Sequence, residues 1–141
     1  MNNLEKNREW PEMEICKQYA FSAGHYLPHV GANHPCRRQH GHNYNVEVIV
    51  RGTRNPNTGM VVDFKEIDKI IVPLVEIVDH QNLNDLGIPL LDNPTAENIA
   101  LWFLREAEVK IIYAVRVWET PKCYAEAINH DGLYTGNKRR G

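Results

Sequence analysis

The chain has 141 residues, of which 43% are hydrophobic, and this size and composition are typical of one globular domain. Its formal net charge of −2 argues against bulk binding to nucleic acid or to an anionic membrane surface. No apolar run approaches the roughly 20 residues that a membrane-spanning helix requires. We therefore expect neither a nucleic acid nor a membrane as partner.

The two ends and the cysteines indicate the compartment and the domain limits. Residues 1–11 are polar and lack the apolar segment of a secretion signal. The three cysteines form an odd set without metal-finger spacing, so we expect reduced thiols in a cytoplasmic protein. We expect an N-terminal extension at 1–13, one domain at 14–130 and a tail at 131–141.

Two predicted strands place histidines on one face. Apolar residues alternate along Ile15–His25 and again along His40–Val50. Because residues i and i+2 of a strand point to the same side, His25 shares the apolar face of the first strand, and His40 and His42 share that of the second. If the strands pair antiparallel, the three imidazoles converge at one corner of the sheet.

Three neutral imidazoles leave one position of a tetrahedral Zn²⁺ open, which is the pattern of catalytic zinc. His-x-His alone is weak support, and a histidine-rich surface loop without metal remains an alternative. His29 and His34, in the loop between the strands, are rival ligands. The strand phases favour His25, His40 and His42.

The loop Tyr26–Gln39 is too long for a tight hairpin, and long loops are often functional. It carries Cys36, followed by Arg37 and Arg38. Neighbouring cations and a metal would lower the pKa of this thiol and populate the thiolate. The alternatives are a small loop residue at Cys36 and solvated arginines.

Two helices are predicted next. Asp63–Val78 has one apolar stripe, and Pro73 should bend this helix or end it early. The second helix begins at Asn93–Thr95, with Asn93 or Thr95 as N-cap. Between them lies Asp79-His80, a carboxylate–imidazole pair suited to acid/base chemistry or simply a solvated turn.

Strands at Lys110–Glu119 and Cys123–Ile128 complete a β-β-α-α-β-β order. This order predicts an α+β fold with an antiparallel sheet and helices on one face. The bare face and the sheet edges would be covered if protomers associate side by side, so we expect a homo-oligomer. Glu119 ends an apolar strand face, either at the solvent rim or facing a bidentate donor.

Six motifs follow one another between Ile15 and Ile128: Phe21–His25, Cys36–Tyr44, Gly59–Phe64, Asp79–Asn84, Pro94–Asn98 and Glu119–Thr120. Together they resemble the 6-pyruvoyltetrahydropterin synthase / 6-carboxytetrahydropterin synthase family. The resemblance implies the tunnelling fold, whose oligomers close the sheets into a barrel with active sites at subunit interfaces.

The resemblance also implies the site residues. It makes His25, His40 and His42 the Zn²⁺ ligands and Cys36 the proton-abstracting thiolate. It makes Asp79 and His80 an acid/base dyad supplied by a neighbouring subunit. It makes Glu119 the anchor of the pterin ring, with Thr95 and Thr120 as neighbours.

The spacing Cys-x3-His-Gly-His is similar to the 6-carboxytetrahydropterin synthase branch, whereas the animal pyruvoyl enzymes resemble Cys-x5-His-Gly-His. The loop also lacks the Glu of a third branch, which makes 6-hydroxymethyldihydropterin. The implied reaction converts 7,8-dihydroneopterin triphosphate to 6-carboxytetrahydropterin, acetaldehyde and triphosphate in queuosine (7-deazaguanine) biosynthesis. The alternatives are the pyruvoyl reaction and a non-catalytic pterin- or zinc-binding oligomer.

Overall fold

The computed structural model describes residues 10–107 and 111–130. The expected tail 131–141, most of the expected extension 1–13 and the predicted strand start at Lys110 lie outside the described residues. The described strands and helices are β1 (Met13–His25), β2 (His40–Gly52), α1 (Phe64–Val78), β3 (Gln81–Asn82), α2 (Ala96–Ala107), β4 (Ile112–Thr120) and β5 (Cys123–Ile128).

One sheet holds all the described strands, in the order β3-β1-β2-β4-β5. The pairs β1–β2, β2–β4 and β4–β5 are antiparallel, which confirms the predicted α+β fold. The sequence prediction missed β3, which has two residues and runs parallel to β1. It forms because the turn after α1 bonds to the edge of β1, where the His80 backbone N–H donates to the Ser22 carbonyl at 2.7 Å.

The core lies between the sheet and the two helices, and the alternation predicted for β1 is present as a buried face ending in Phe21, Ala23 and His25. The buried side chains of this core include Phe21, Tyr44, Val46, Val48, Val115 and Val117 from the sheet and Ile67, Ile71, Ile99 and Phe103 from the helices.

The opposite face of the sheet is polar. On it, Glu47 accepts a hydrogen bond from the Trp118 indole and pairs with Arg116 at 3.6 Å. Arg116 also pairs with Glu126 at 3.2 Å. Self-association over this face stays a prediction.

Side-chain caps start both helices. Asp63 accepts from the Lys65 N–H at 2.9 Å and caps α1, and Thr95 accepts from the Asn98 N–H at 3.1 Å and caps α2. Of the two effects expected of Pro73, a bend stays a prediction, and an early end of α1 was wrong, because the helix continues to Val78. Its buried stripe outweighs the one backbone hydrogen bond that proline removes. Neither described helix has the length and apolarity to cross a membrane.

Replacement of Pro73 by alanine should raise the free energy of unfolding by about 2 kcal/mol. Proline inside a helix costs about 3 kcal/mol relative to alanine, and the extra entropy of the unfolded alanine chain offsets part of that gain. Urea unfolding at fixed protein concentration measures the change. Glu76→Ala, at an exposed position of the same helix, should change it by less than about 0.5 kcal/mol. Equal curves for Pro73→Ala and the unsubstituted protein would show that the proline is accommodated without cost.

Candidate active site

Three histidines meet where β1 ends and β2 begins. The strand register places His25 opposite His40, and His42 opposite Ala23. One ring nitrogen from each histidine lies within 4.8 Å of the others. His25 is 1% exposed, whereas His40 and His42 are half-buried. The three histidines could therefore hold a metal ion.

Backbone carbonyls set the tautomers of two of these imidazoles. His25 Nδ1 lies 2.8 Å from the Pro94 carbonyl oxygen, and His40 Nδ1 lies 2.7 Å from the Arg38 carbonyl oxygen. A carbonyl only accepts, so each Nδ1 carries the proton and each Nε2 presents a lone pair. The two Nε2 atoms face each other at 2.9 Å. Two lone pairs at that distance repel unless a cation lies between or beside them, which fits a metal-binding donor set.

The position of the Pro94 carbonyl follows from the start of α2. The Asn98 side-chain amide donates to the Asn93 carbonyl at 2.8 Å, and the Thr95 N–H donates to the same carbonyl at 2.9 Å. These bonds fix the turn that carries Pro94. The sequence contains the capping residues, but it carries no sign that the Pro94 carbonyl contacts a histidine 69 positions away.

Burial controls the protonation of this cluster. It lowers the pKa of His25 from 6.5 to about 4, against the opposing effect of the Pro94 hydrogen bond. Burial also lowers the pKa of His42, and the Glu119 carboxylate opposes this shift. Both imidazoles are therefore neutral at pH 7, the form in which histidine binds metals.

Asp79 and His80 form a pair anchored to β1. The Asp79 carboxylate accepts from the Ser22 N–H at 3.0 Å and from His80 Nδ1 at 3.0 Å. The Ser22 hydrogen bond is the main cause of the lowered Asp79 pKa, so this carboxyl is ionised. His80 adopts a left-handed backbone with φ of 59°, an uncommon conformation that clusters at functional sites. Its side chain is 81% exposed, and His80 and His42 both line a cleft of about 430 Å³.

Cys36 lies in a short 3₁₀ turn, Pro35–Arg37, and both its backbone N–H and its carbonyl form hydrogen bonds. Its N–H donates to His34 Nδ1 at 3.1 Å, and its carbonyl accepts from the Leu27 N–H at 2.8 Å. Within residues 10–107 and 111–130, the thiol is half-buried, has no hydrogen-bond partner and lies outside the histidine cluster. His34, a rival ligand in the sequence, caps this turn, and His29 also lies outside the cluster.

The other predicted site residues divide between two cavities. Glu119 and Thr95 line one of about 340 Å³, together with Leu27, Glu97 and Tyr124. Thr120 lines a different cavity of about 300 Å³, with Asn43, Asn45, Glu47 and Trp118 on the polar face of the sheet. Its hydroxyl contacts the Cys123 thiol at 3.1 Å. The structure thus brings Thr95, but not Thr120, into the cavity of Glu119.

Comparison with known proteins decides the family. The family model for 6-pyruvoyl tetrahydropterin synthase matches residues 14–129. The chain belongs to this family. The resemblance drawn from the six motifs is therefore confirmed, and the chain is a member of a family of tetrahydropterin synthases, which are enzymes.

Relatives and structures agree with this membership. A 6-carboxy-5,6,7,8-tetrahydropterin synthase of Synechocystis is 42% identical over 115 residues, which are 75% of this chain and 85% of the relative. A putative enzyme of that name from Archaeoglobus fulgidus is 37% identical over 82% of this chain and 95% of its own length. The 6-pyruvoyl tetrahydropterin synthase structure from Caenorhabditis elegans superposes with a TM-score of 0.75 at 27% identity, covering 84% of this chain and 96% of that one. The tunnelling fold predicted from the resemblance is thereby confirmed.

The metal-free protein should lose stability as the pH falls from about 6.5 to about 4. In this window the unfolded His25 binds a proton and the folded His25 does not, so protonation favours the unfolded state. At 1.36 kcal/mol per pKa unit, the loss amounts to about 3 kcal/mol. Urea unfolding in the presence of a chelator measures the free energy at each pH. His25→Gln, which cannot titrate, is the control and should have a flatter profile. Parallel profiles for the two proteins would contradict the assignment to His25.

Proposed function

We propose that this protein is a zinc-dependent 6-carboxytetrahydropterin synthase. Its substrate is 7,8-dihydroneopterin triphosphate, and with one water consumed its products are 6-carboxytetrahydropterin, acetaldehyde and triphosphate. The observation that carries the proposal is the corner of His25, His40 and His42 beside a loop with Cys36 at Cys-x3-His-Gly-His spacing. The names of the Synechocystis and Archaeoglobus relatives support it.

Zn²⁺ is the proposed metal because three neutral imidazoles with an open fourth position suit catalytic zinc. Bound there, it would supply Lewis acidity to oxygens of the substrate side chain. The residues of the chain prepare for this by keeping His25 and His42 neutral and by aiming the Nε2 lone pairs of His25 and His40 toward one point.

Cys36 is the proposed base, which removes a proton from a side-chain carbon of the substrate as thiolate. The half-buried thiol has no hydrogen-bond partner among the described residues, so no neighbour competes for it. One Arg37 nitrogen already donates to the Val30 carbonyl at 2.8 Å and closes the loop. Arg38 is therefore the better placed of the two arginines to meet the triphosphate.

Asp79 and His80 are the proposed dyad that returns protons to the substrate. Asp79 holds Nδ1 of His80, which leaves Nε2 to give or accept a proton. The 81% exposure of His80 supports the prediction that this side chain serves the site of a neighbouring subunit in a homo-oligomer.

Glu119 is the proposed anchor of the pterin ring, because a carboxylate accepts two parallel N–H bonds from an amidine-like edge. Thr95 lines the same cavity and is the proposed neighbour. Thr120 would contact the substrate only if the pterin ring extends toward the polar face of the sheet. We further propose that residues 14–130 form the catalytic domain, with 1–13 and 131–141 as appendages, and that the enzyme acts in the cytoplasm in queuosine biosynthesis.

The second candidate is the pyruvoyl synthase reaction, which eliminates triphosphate and keeps the three-carbon side chain. It is favoured by the name of the C. elegans structure and of the family model. A non-catalytic pterin- or zinc-binding oligomer would be favoured by a defective site, yet the sequence contains Cys36, Asp79, His80 and Glu119.

Zinc-loaded protein incubated with 7,8-dihydroneopterin triphosphate should release 6-carboxytetrahydropterin and acetaldehyde, identified by mass spectrometry. Pyruvoyltetrahydropterin as sole product would move the chain to the second candidate. Bound but unchanged pterin would leave only the binding oligomer.

Cys36→Ala and His40→Ala should distinguish loss of the base from loss of a metal ligand. Cys36→Ala should lose at least about 100-fold in turnover, since a positioned base contributes 10²–10⁴-fold, while zinc content stays at the level of the unsubstituted protein. His40→Ala should lose both zinc and turnover. Cys16→Ala, on the polar sheet face, is the matched thiol control and should retain both. A Cys36→Ala protein that keeps most of its activity would refute the role of Cys36 as the base. A fully metallated His40→Ala protein would refute His40 as a metal ligand.

A further inference from the structure

Tyr44 is the buried aromatic residue closest in sequence to the His-Gly-His segment. It is 1% exposed, and its ring stacks on Phe21 with centroids 4.7 Å apart and an angle of 13° between the planes. The same ring stands nearly perpendicular to His25 at 6.0 Å and to His42 at 5.5 Å. Because Phe21 and the two imidazoles contact the ring, the Tyr44 hydroxyl is held in one position.

That hydroxyl lies 3.1 Å from Nδ1 of His25. The Pro94 carbonyl lies 2.8 Å from the same nitrogen and fixes its proton there. The Tyr44 oxygen is therefore the second acceptor of a shared N–H, and the phenolic proton is free for another partner.

Glu119 is the charged residue nearest to Tyr44 along the ladder. The β2–β4 ladder pairs Val46 with Val117 and ends at Asn45 opposite Trp118, and Tyr44 and Glu119 are the next residues of the two strands. Both belong to the face that carries Val46 and Val117. Their proximity is consistent with the raised pKa of Tyr44, of which burial is the main cause and the Glu119 charge the second.

We propose that Tyr44 is a positioning residue, whose hydroxyl orients the metal ligand His25 and links it to Glu119. The inference rests on the metal and pterin sites of the proposed function. Two acceptors from different elements, the cap of α2 and the strand β2, hold one ring nitrogen and restrict rotation of the imidazole. A pterin ring on Glu119 would then change the hydrogen bonding of His25 through Tyr44.

Tyr44→Phe tests this link, because it keeps the stacked ring and removes the hydroxyl. We expect Zn²⁺ to bind about 10-fold more weakly, as measured by competition with a chromophoric chelator. Loss of a residue that hydrogen-bonds a metal ligand typically weakens metal binding about 10- to 100-fold, and the smaller effect is expected here because Pro94 still holds His25. We also expect a shifted visible absorption spectrum of the Co²⁺-substituted protein, which reports ligand geometry.

Tyr19→Phe is the matched control. It removes a hydroxyl that donates to Asp68 at 2.6 Å, far along β1 from the histidines. It should lower the melting temperature while leaving Zn²⁺ affinity and the Co²⁺ spectrum unchanged. If Tyr44→Phe fails to fold, Glu119→Gln takes its place, and its Co²⁺ spectrum should shift in the same direction through the retained Tyr44.

The outcomes are distinguishable. A folded Tyr44→Phe protein with unchanged Zn²⁺ affinity and an unchanged Co²⁺ spectrum overturns the positioning role, whatever the enzyme produces. An unchanged spectrum in Glu119→Gln overturns the link to Glu119. Unsubstituted protein that binds neither ion overturns the metal site and this inference together. Weakened metal binding in Tyr44→Phe, without turnover of dihydroneopterin triphosphate by the unsubstituted protein, supports the inference and refutes only the proposed reaction.

Discussion

The register of β1 against β2 is the constraint on which the candidate site depends. Their antiparallel ladder runs from Met13 opposite Gly52 to His25 opposite His40, and the core face of both strands continues directly into the histidines. Since side chains alternate with a period of two, a slip of β1 by one residue would turn Phe21 out of the core and His25 out of the corner at once. The packing that selects the register therefore also assembles the metal-binding geometry.

The buried histidine imposes a cost that the rest of the corner offsets. An imidazole at 1% exposure loses its hydration, and the Pro94 carbonyl replaces one of those interactions. The Nε2 atoms of His25 and His40 face each other at 2.9 Å, so folding orients both ring nitrogens toward the position that a metal ion would take. A donor set oriented in this way by the fold loses little rotational freedom when it binds a metal.

Periodicity predicted much of this architecture because it reflects burial. The alternation along Ile15–His25 and His40–Val50 predicted both strands, their shared face and the meeting of three histidines, and the capping signals predicted both helix starts. Periodicity could not predict contacts between segments that are distant in the sequence. Nothing in the sequence near Pro94 or Ser22 indicates that one carbonyl would orient His25 or that Asp79-His80 would bond to the edge of β1 and form β3. Thr120 lines another cavity than Glu119 because consecutive residues of a strand point to opposite faces of the sheet. The strand phase contained this information, but the motif Glu119–Thr120 treats the two residues as one unit.

The unequal burial of the three histidines has a kinetic consequence. An ion at this corner would meet and leave His40 and His42 first, because His25 is buried and held by Tyr44 and by Pro94 at the start of α2. Because the Pro94 carbonyl and the Tyr44 hydroxyl keep the His25 ring oriented, an ion that has left His40 and His42 would still be bound to His25. Its release would therefore be slower than the exposure of two of its three ligands suggests.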